Sequence, residues 1–169
     1  MKKIFLIAIS LIIIFLLGCS QKLIDKNIPS DNEKVAEEFI KSKGYEIIEF
    51  KDKLAEYTLE KSKIVGGIEA IPYQQIWGVQ ELEPDIYFGK EIETYEFIVK
   101  NHPLEKNHEN ADNGVKLYIM ISDNKVIGGY SYPNADVTGS FSSLEGKTIE
   151  EVTGLTFQEW LEKWENKYK

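Results

Sequence analysis

The sequence predicts an α+β domain: an antiparallel sheet of about five strands with helices packed on one face and an amphipathic helix at the carboxyl end. Three observations predict it. Segments with a two-residue apolar alternation are separated by short polar turns. Segments with helical spacing open at Ser, Thr or Pro start signals. The order is helix, two strands, helix, three strands, two helices, which suits a sheet built from neighbours in sequence rather than from crossover units.

Ser30 opens a capping box with Glu33, and Val35, Ala36, Phe39 and Ile40 share one face of a helix that Gly44 ends. Strands are expected at Tyr45 to Phe50 and at Leu54 to Ile64, with a turn at Lys51-Asp52-Lys53. In the second, Ala55, Tyr57 and Leu59 alternate with Glu56, Thr58 and Glu60, the period of a sheet with one wet face. Gly66-Gly67 breaks that pattern. Pro72 starts a helix through Tyr73, Ile76 and Trp77 to about Leu82, and Pro84 stops it. Ile92 to Lys100 alternates again, with Tyr95, Phe97 and Val99 on one face and Thr94 and Glu96 on the other.

A polar loop follows from His102 to Gly114. Val115 to Ile121 is almost wholly apolar, as a central strand is, and Ser122-Asp123-Asn124-Lys125 turns it into Val126 to Tyr132. Asn134 to Lys147, rich in Ser, Gly and Asn, reads as irregular. Thr148 with Glu151 and Thr156 with Glu159 are capping boxes that open two short helices. On the last helix Phe157, Trp160, Leu161 and Trp164 fall at i, i+3, i+4 and i+7, a narrow apolar stripe.

Between about residues 37 and 133, the stretches Tyr73-Gln74-Gln75-Ile76-Trp77, Tyr95 to Pro103 and Asp123 to Gly129 resemble a domain of unknown function found in secreted and lipid-anchored Firmicute proteins. The resemblance assigns no catalytic or binding residue.

The amino end carries an address. Lys2 and Lys3 precede an apolar run from Ile4 to Leu17 that ends in Leu16-Leu17-Gly18-Cys19. This resembles a bacterial lipoprotein signal. The resemblance implies cleavage between Gly18 and Cys19, lipid on the Cys19 sulfur, and a place on the extracytoplasmic face of the cell membrane. An uncleaved membrane helix fits less well, since Ile4 to Gly18 is short against the roughly 20 apolar residues a bilayer core needs. Residues 1–18 are thus expected to be a signal peptide, 19–30 the lipidated cysteine and a tether, and 31–169 a single extracytoplasmic domain.

Removing residues 1–18 from the 169 leaves 151, enough for one domain with a core. Lys2 and Lys3 leave with them, which moves the formal charge from -8 to -10. An acidic chain whose 20 basic residues are all lysine is a poor nucleic-acid binder. Cys19 is the only cysteine, so no disulfide within the chain braces the fold.

Motifs with specific chemistry are missing. His102 and His108 share a loop with Glu105, Glu109 and Asp112, but their spacing is not that of zinc ligands, and Asp112-Asn113-Gly114 is no calcium loop. No Gly-x-Ser-x-Gly occurs, and Ser140, Ser142 and Ser143 sit in the irregular segment. Gly66-Gly67 and Gly128-Gly129 lack a phosphate-loop setting. No cofactor or metal is expected. Trp160 and Trp164 suit packing onto the sheet; turned outward, they would form a surface for wall glycan or a partner protein.

The function expected is a lipid-anchored surface lipoprotein held by membrane lipid at Cys19. It would be a non-catalytic module for an envelope protein or cell-wall component. A small envelope hydrolase is the alternative. A transporter's solute receptor, normally two lobes, needs a longer chain.

Overall fold

A computed structural model describes residues 30–107 and 113–169. The signal segment, Gly18, Cys19, nearly all of the tether, and His108, Glu109 and Asp112 lie outside the described residues.

Helix α1 (Asp31–Ser42) is capped by Ser30, whose Oγ accepts from Glu33 N at 3.0 Å. The chain leaves it through Gly44 at φ +82, a left-handed conformation that favours glycine. Five strands pair antiparallel in chain order: β1 (Glu46–Thr58), β2 (Glu91–Lys100), β3 (Val115–Ser122), β4 (Lys125–Pro133) and β5 (Ser142–Ser143). Between β1 and β2 come a single turn, α2 (Lys61–Ile64), the 3-10 turn Ile68–Ala70, helix α3 (Ile71–Gly78), and a second 3-10 turn, Pro84–Tyr87. Helix α4 (Leu104–Asn107) follows β2, and α5 (Ile149–Thr153) and α6 (Phe157–Tyr168) close the chain.

The α+β class, the antiparallel five-stranded sheet and the carboxyl-terminal helix are as the sequence predicts. Both late capping boxes form, and α6 buries Trp160, Trp164 and Tyr168. The β3–β4 hairpin closes through Asp123 and Asn124, both at positive φ (52° and 58°), the twist that two-residue hairpin turns require.

Three expected element boundaries need correction. The polar trio Lys51-Asp52-Lys53 is not a turn, because β1 runs straight through it. Its thirteen residues pair with the ten of β2 by skipping at Ile48, Lys51 and Leu54. Each bulge shifts the alternation by one residue, so a continuous strand looks interrupted in sequence. The chain also leaves the strand at Thr58 and winds Lys61–Ile64 into α2. Helix α3 stops at Gly78 rather than near Leu82. A Cβ at Gly78 would run into the Trp160 ring, and Gln80 turns away to β4.

Helices cover both faces of the sheet, not one. Tyr95, Phe97 and Val99 of β2, with Val115, Leu117, Ile119 and Ile121 of β3, pack under Ala36 and Ile40 of α1. On the reverse, Ile92, Tyr118, Met120 and Tyr130 pack under Ile76 and Trp77 of α3 and the rings of α6. A strand that is apolar at nearly every position, as β3 is, buries both faces, and that signal was in the sequence.

Candidate functional site

A cleft of about 500 Å³ lies at the end of the sheet where β4 finishes. Tyr132 and Pro133 form one wall. The segment Val137 to Phe141 arches over it, and Thr148 to Glu151, at the start of α5, stand opposite with Phe157. Local chemistry fixes each part. Tyr132 Oη donates to Val137 O at 2.6 Å, which folds the arch back onto β4. Phe141 sits edge-on to Tyr130 (4.9 Å) and Tyr132 (5.7 Å), and Tyr130 in turn stacks on Tyr118 at 4.5 Å. Such a ladder makes a stiff floor. Burial pushes the phenols of Tyr118 and Tyr130 well above the ordinary tyrosine range, so both stay neutral hydroxyls.

The acids at the rim are differently occupied. Both are exposed; Glu151 accepts from Thr148 N at 2.8 Å, closing the capping box, and Glu150 stands beside it. Phe157 is 40% exposed and offers an apolar edge to the cleft. Among the described residues that line the cleft there is neither histidine nor lysine.

A histidine anchors the segment that forms the cleft's inner rim. His102 is 1% exposed. Leu104 N–H donates to its Nδ1 at 3.1 Å, which leaves the proton on Nε2 to donate to Leu144 O at 2.9 Å. Tyr45 Oη donates to the same carbonyl at 3.1 Å, and Lys43 pairs with Glu145 at 3.0 Å. Burial lowers the His102 pKa, against opposing pulls from the Leu144 carbonyl, Glu105 and Glu145. With both ring nitrogens committed, His102 is a tie between segments and not a metal ligand. Among the described residues no group of three or more His, Cys, Asp and Glu side chains is placed to hold a metal ion.

Trp160 and Trp164, offered by the sequence as core or as an outward surface, are core. They are 6% and 8% exposed, and Trp164 Nε1 donates to Ile64 O at 2.7 Å. The rings that do reach solvent near the cleft are Tyr132, Phe141 and Phe157. Sequence reasoning missed Tyr132 and Phe141 as a pair, because only the tertiary fold lays the arch on β4. Gly128 and Gly129 also have an unforeseen role. The Gln80 amide accepts from Gly129 N (2.8 Å) and donates to Gly129 O (2.9 Å), pairing with the β4 edge as a strand residue would. A Cβ at either glycine would collide, at Gly128 with Gln80 and at Gly129 with Tyr118 O and Leu144.

Compared with known protein families, with curated protein sequences and with solved structures, the chain matches none. Among the described residues no helix is long and apolar enough to cross a membrane.

Proposed function

We propose that the protein is a lipid-anchored envelope lipoprotein whose folded domain is a non-catalytic binding module. The cleft between Tyr132 and Phe157 carries this reading. It presents aromatic edges, hydroxyls and two exposed carboxylates, Glu150 and Glu151, on a floor of packed rings, which suits contact with a ligand or partner. The address rests on Leu16-Leu17-Gly18-Cys19.

Crosslinking in intact cells tests both halves. The tagged chain should capture a partner that a Cys19→Ser variant, shed from the membrane, does not. Equal capture and equal membrane retention by the serine variant would overturn the anchor. Phe157→Ser changes an exposed cleft residue and should abolish capture without unfolding the domain. Undiminished capture would take binding away from the cleft.

A further inference from the structure

We propose that the cleft beside β4 binds an uncharged oligosaccharide, with the Phe157 ring as the platform on which one sugar stacks. This rests on the reading of the cleft as a binding site, and the experiment below separates the two.

Phe157 is the first residue of α6, set in place by the capping box in which Thr156 Oγ1 accepts from Glu159 N at 3.3 Å. It is 40% exposed, although Trp160 and Trp164 on the same apolar stripe are buried. One side of its ring rests against Trp160, with the centroids 5.5 Å apart. A buried neighbour therefore holds the ring still while it lines the cleft. Using a ring already fixed in this way costs little side-chain entropy on binding. On the β4 side, the half-buried Tyr132 and Phe141 meet edge-on at 5.7 Å, and Tyr132 Oη is committed to Val137 O. Their surface is preset as well.

The same cleft has a polar lining. Ser140 is exposed and Ser142 half-buried; their hydroxyls can donate and accept, and among the described residues neither has a partner. Glu150 and Glu151 add exposed carboxylates, which only accept.

Each class of ligand meets this lining differently. An apolar molecule would take water from the hydroxyls and carboxylates without replacing their hydrogen bonds. An anion would face two like charges. A cation would pair with carboxylates that stand in water, where such pairs contribute little, and would leave the rings unused. A sugar engages all three parts. The C–H face of a pyranose is apolar and lies flat on an aromatic ring, while its hydroxyls donate to the carboxylates and exchange hydrogen bonds with the serines. A cleft of about 500 Å³ also falls within the roughly 300–1,000 Å³ of small-ligand sites.

The test is calorimetric titration of the full lipidated chain, held in phosphatidylcholine nanodiscs, with tetramers of β-1,4-linked glucose and of β-1,4-linked N-acetylglucosamine. At least one should bind saturably, with nearly the same affinity at low and high salt, because no net charge is paired. Phe157→Ser should weaken that binding about tenfold at unchanged Tm, whereas Phe157→Tyr, which keeps the ring, should retain it. Binding that Phe157→Ser leaves intact would put the sugar elsewhere and overturn the proposal. Failure of both tetramers, with Phe157-dependent capture persisting in cells, would overturn the sugar and leave the binding cleft standing. A salt-sensitive response to oligolysine, weakened by Glu150→Gln, would then identify a cationic peptide as the ligand. Failure of both tetramers together with capture that ignores Phe157→Ser would overturn both readings.

Discussion

The two faces of the sheet are built from different materials. Under α1 the core is aliphatic: Ile40, Val99, Val115, Leu117, Ile119 and Ile121, with Tyr95 and Phe97 as its buried aromatics. Under α3 and α6 it is aromatic: Trp77, Tyr87, Tyr118, Tyr130, Trp160, Trp164 and Tyr168 are all buried. Aliphatic burial is non-directional, so a single amphipathic helix laid over alternating strand residues satisfies it. Indoles and phenols add a polar handle that must find a partner, and here those handles set where the helices sit. Trp164 Nε1 reaches Ile64 O, Trp77 Nε1 reaches Tyr57 Oη at 3.3 Å, and Tyr168 Oη reaches Asp85 at 2.7 Å. The first and third of these bonds join residues 100 and 83 positions apart, so the aromatic face closes the chain's two halves on each other.

Truncation on either face is the strongest test. Trp164→Ala should cost about 3–5 kcal/mol and Ile40→Ala about 2–5 kcal/mol in urea unfolding. Trp164→Phe then separates ring from handle. It keeps most of the apolar contact but leaves Ile64 O without its donor, a loss of about 1–3 kcal/mol. A phenylalanine variant as stable as the parent would mean that the aromatic face, like the aliphatic one, is held by burial alone.

Overfilling probes the same contrast. Gly78→Ala puts a methyl group against the Trp160 ring and should cost about 1–3 kcal/mol, read as a lower Tm. If Tm is unchanged, the α3–α6 contact is looser than its geometry indicates. A smaller loss, about 1 kcal/mol, is expected for Thr156→Ala, which removes the acceptor for Glu159 N at the start of α6. The exposed cap should matter less than either core change.

The last test is specific to the aliphatic side, where His102 is the polar tie. Its pKa is depressed by burial, so the unfolded chain takes up the proton first. The stability that the neutral ring provides is complete above about pH 6.5 and is lost as pH falls through the lower native value. Protonation also leaves Leu104 N–H with no acceptor. Urea midpoints at pH 7.5 and pH 5 should therefore differ more for the parent than for His102→Gln. An equal difference in the two proteins would show that the ring does not stay neutral in the fold.

Much of this was legible locally. Ser30, Thr148 and Thr156 announce helix starts because capping is settled within three residues. The hairpin at Asp123-Asn124 and the stripe on α6 are likewise written in short windows. The candidate site was less legible. Phe157 stood out on its stripe, but Tyr132, Phe141 and the tie at His102 gain meaning only when the arch, β5 and the β2–α4 turn meet. β1 misled for a physical reason: its bulges at Ile48, Lys51 and Leu54 break the period of two while the backbone stays extended. Those irregularities and the charges between them also suit an edge strand that must not pair with another chain.

By itself, the sequence determined the class of fold, the helix starts at Ser30, Thr148 and Thr156, the β3–β4 hairpin and which stripe of α6 is apolar, because periodicity and capping depend on neighbours a few residues apart. Only the tertiary structure decided that helices cover both faces, that Trp160 and Trp164 are core, and that Tyr132, Phe141 and Phe157 meet at one cleft. Those outcomes depend on contacts between residues far apart in the chain, where apolar side chains from any segment can compete for the same sheet. Only packing without clash and completed hydrogen bonds choose among them.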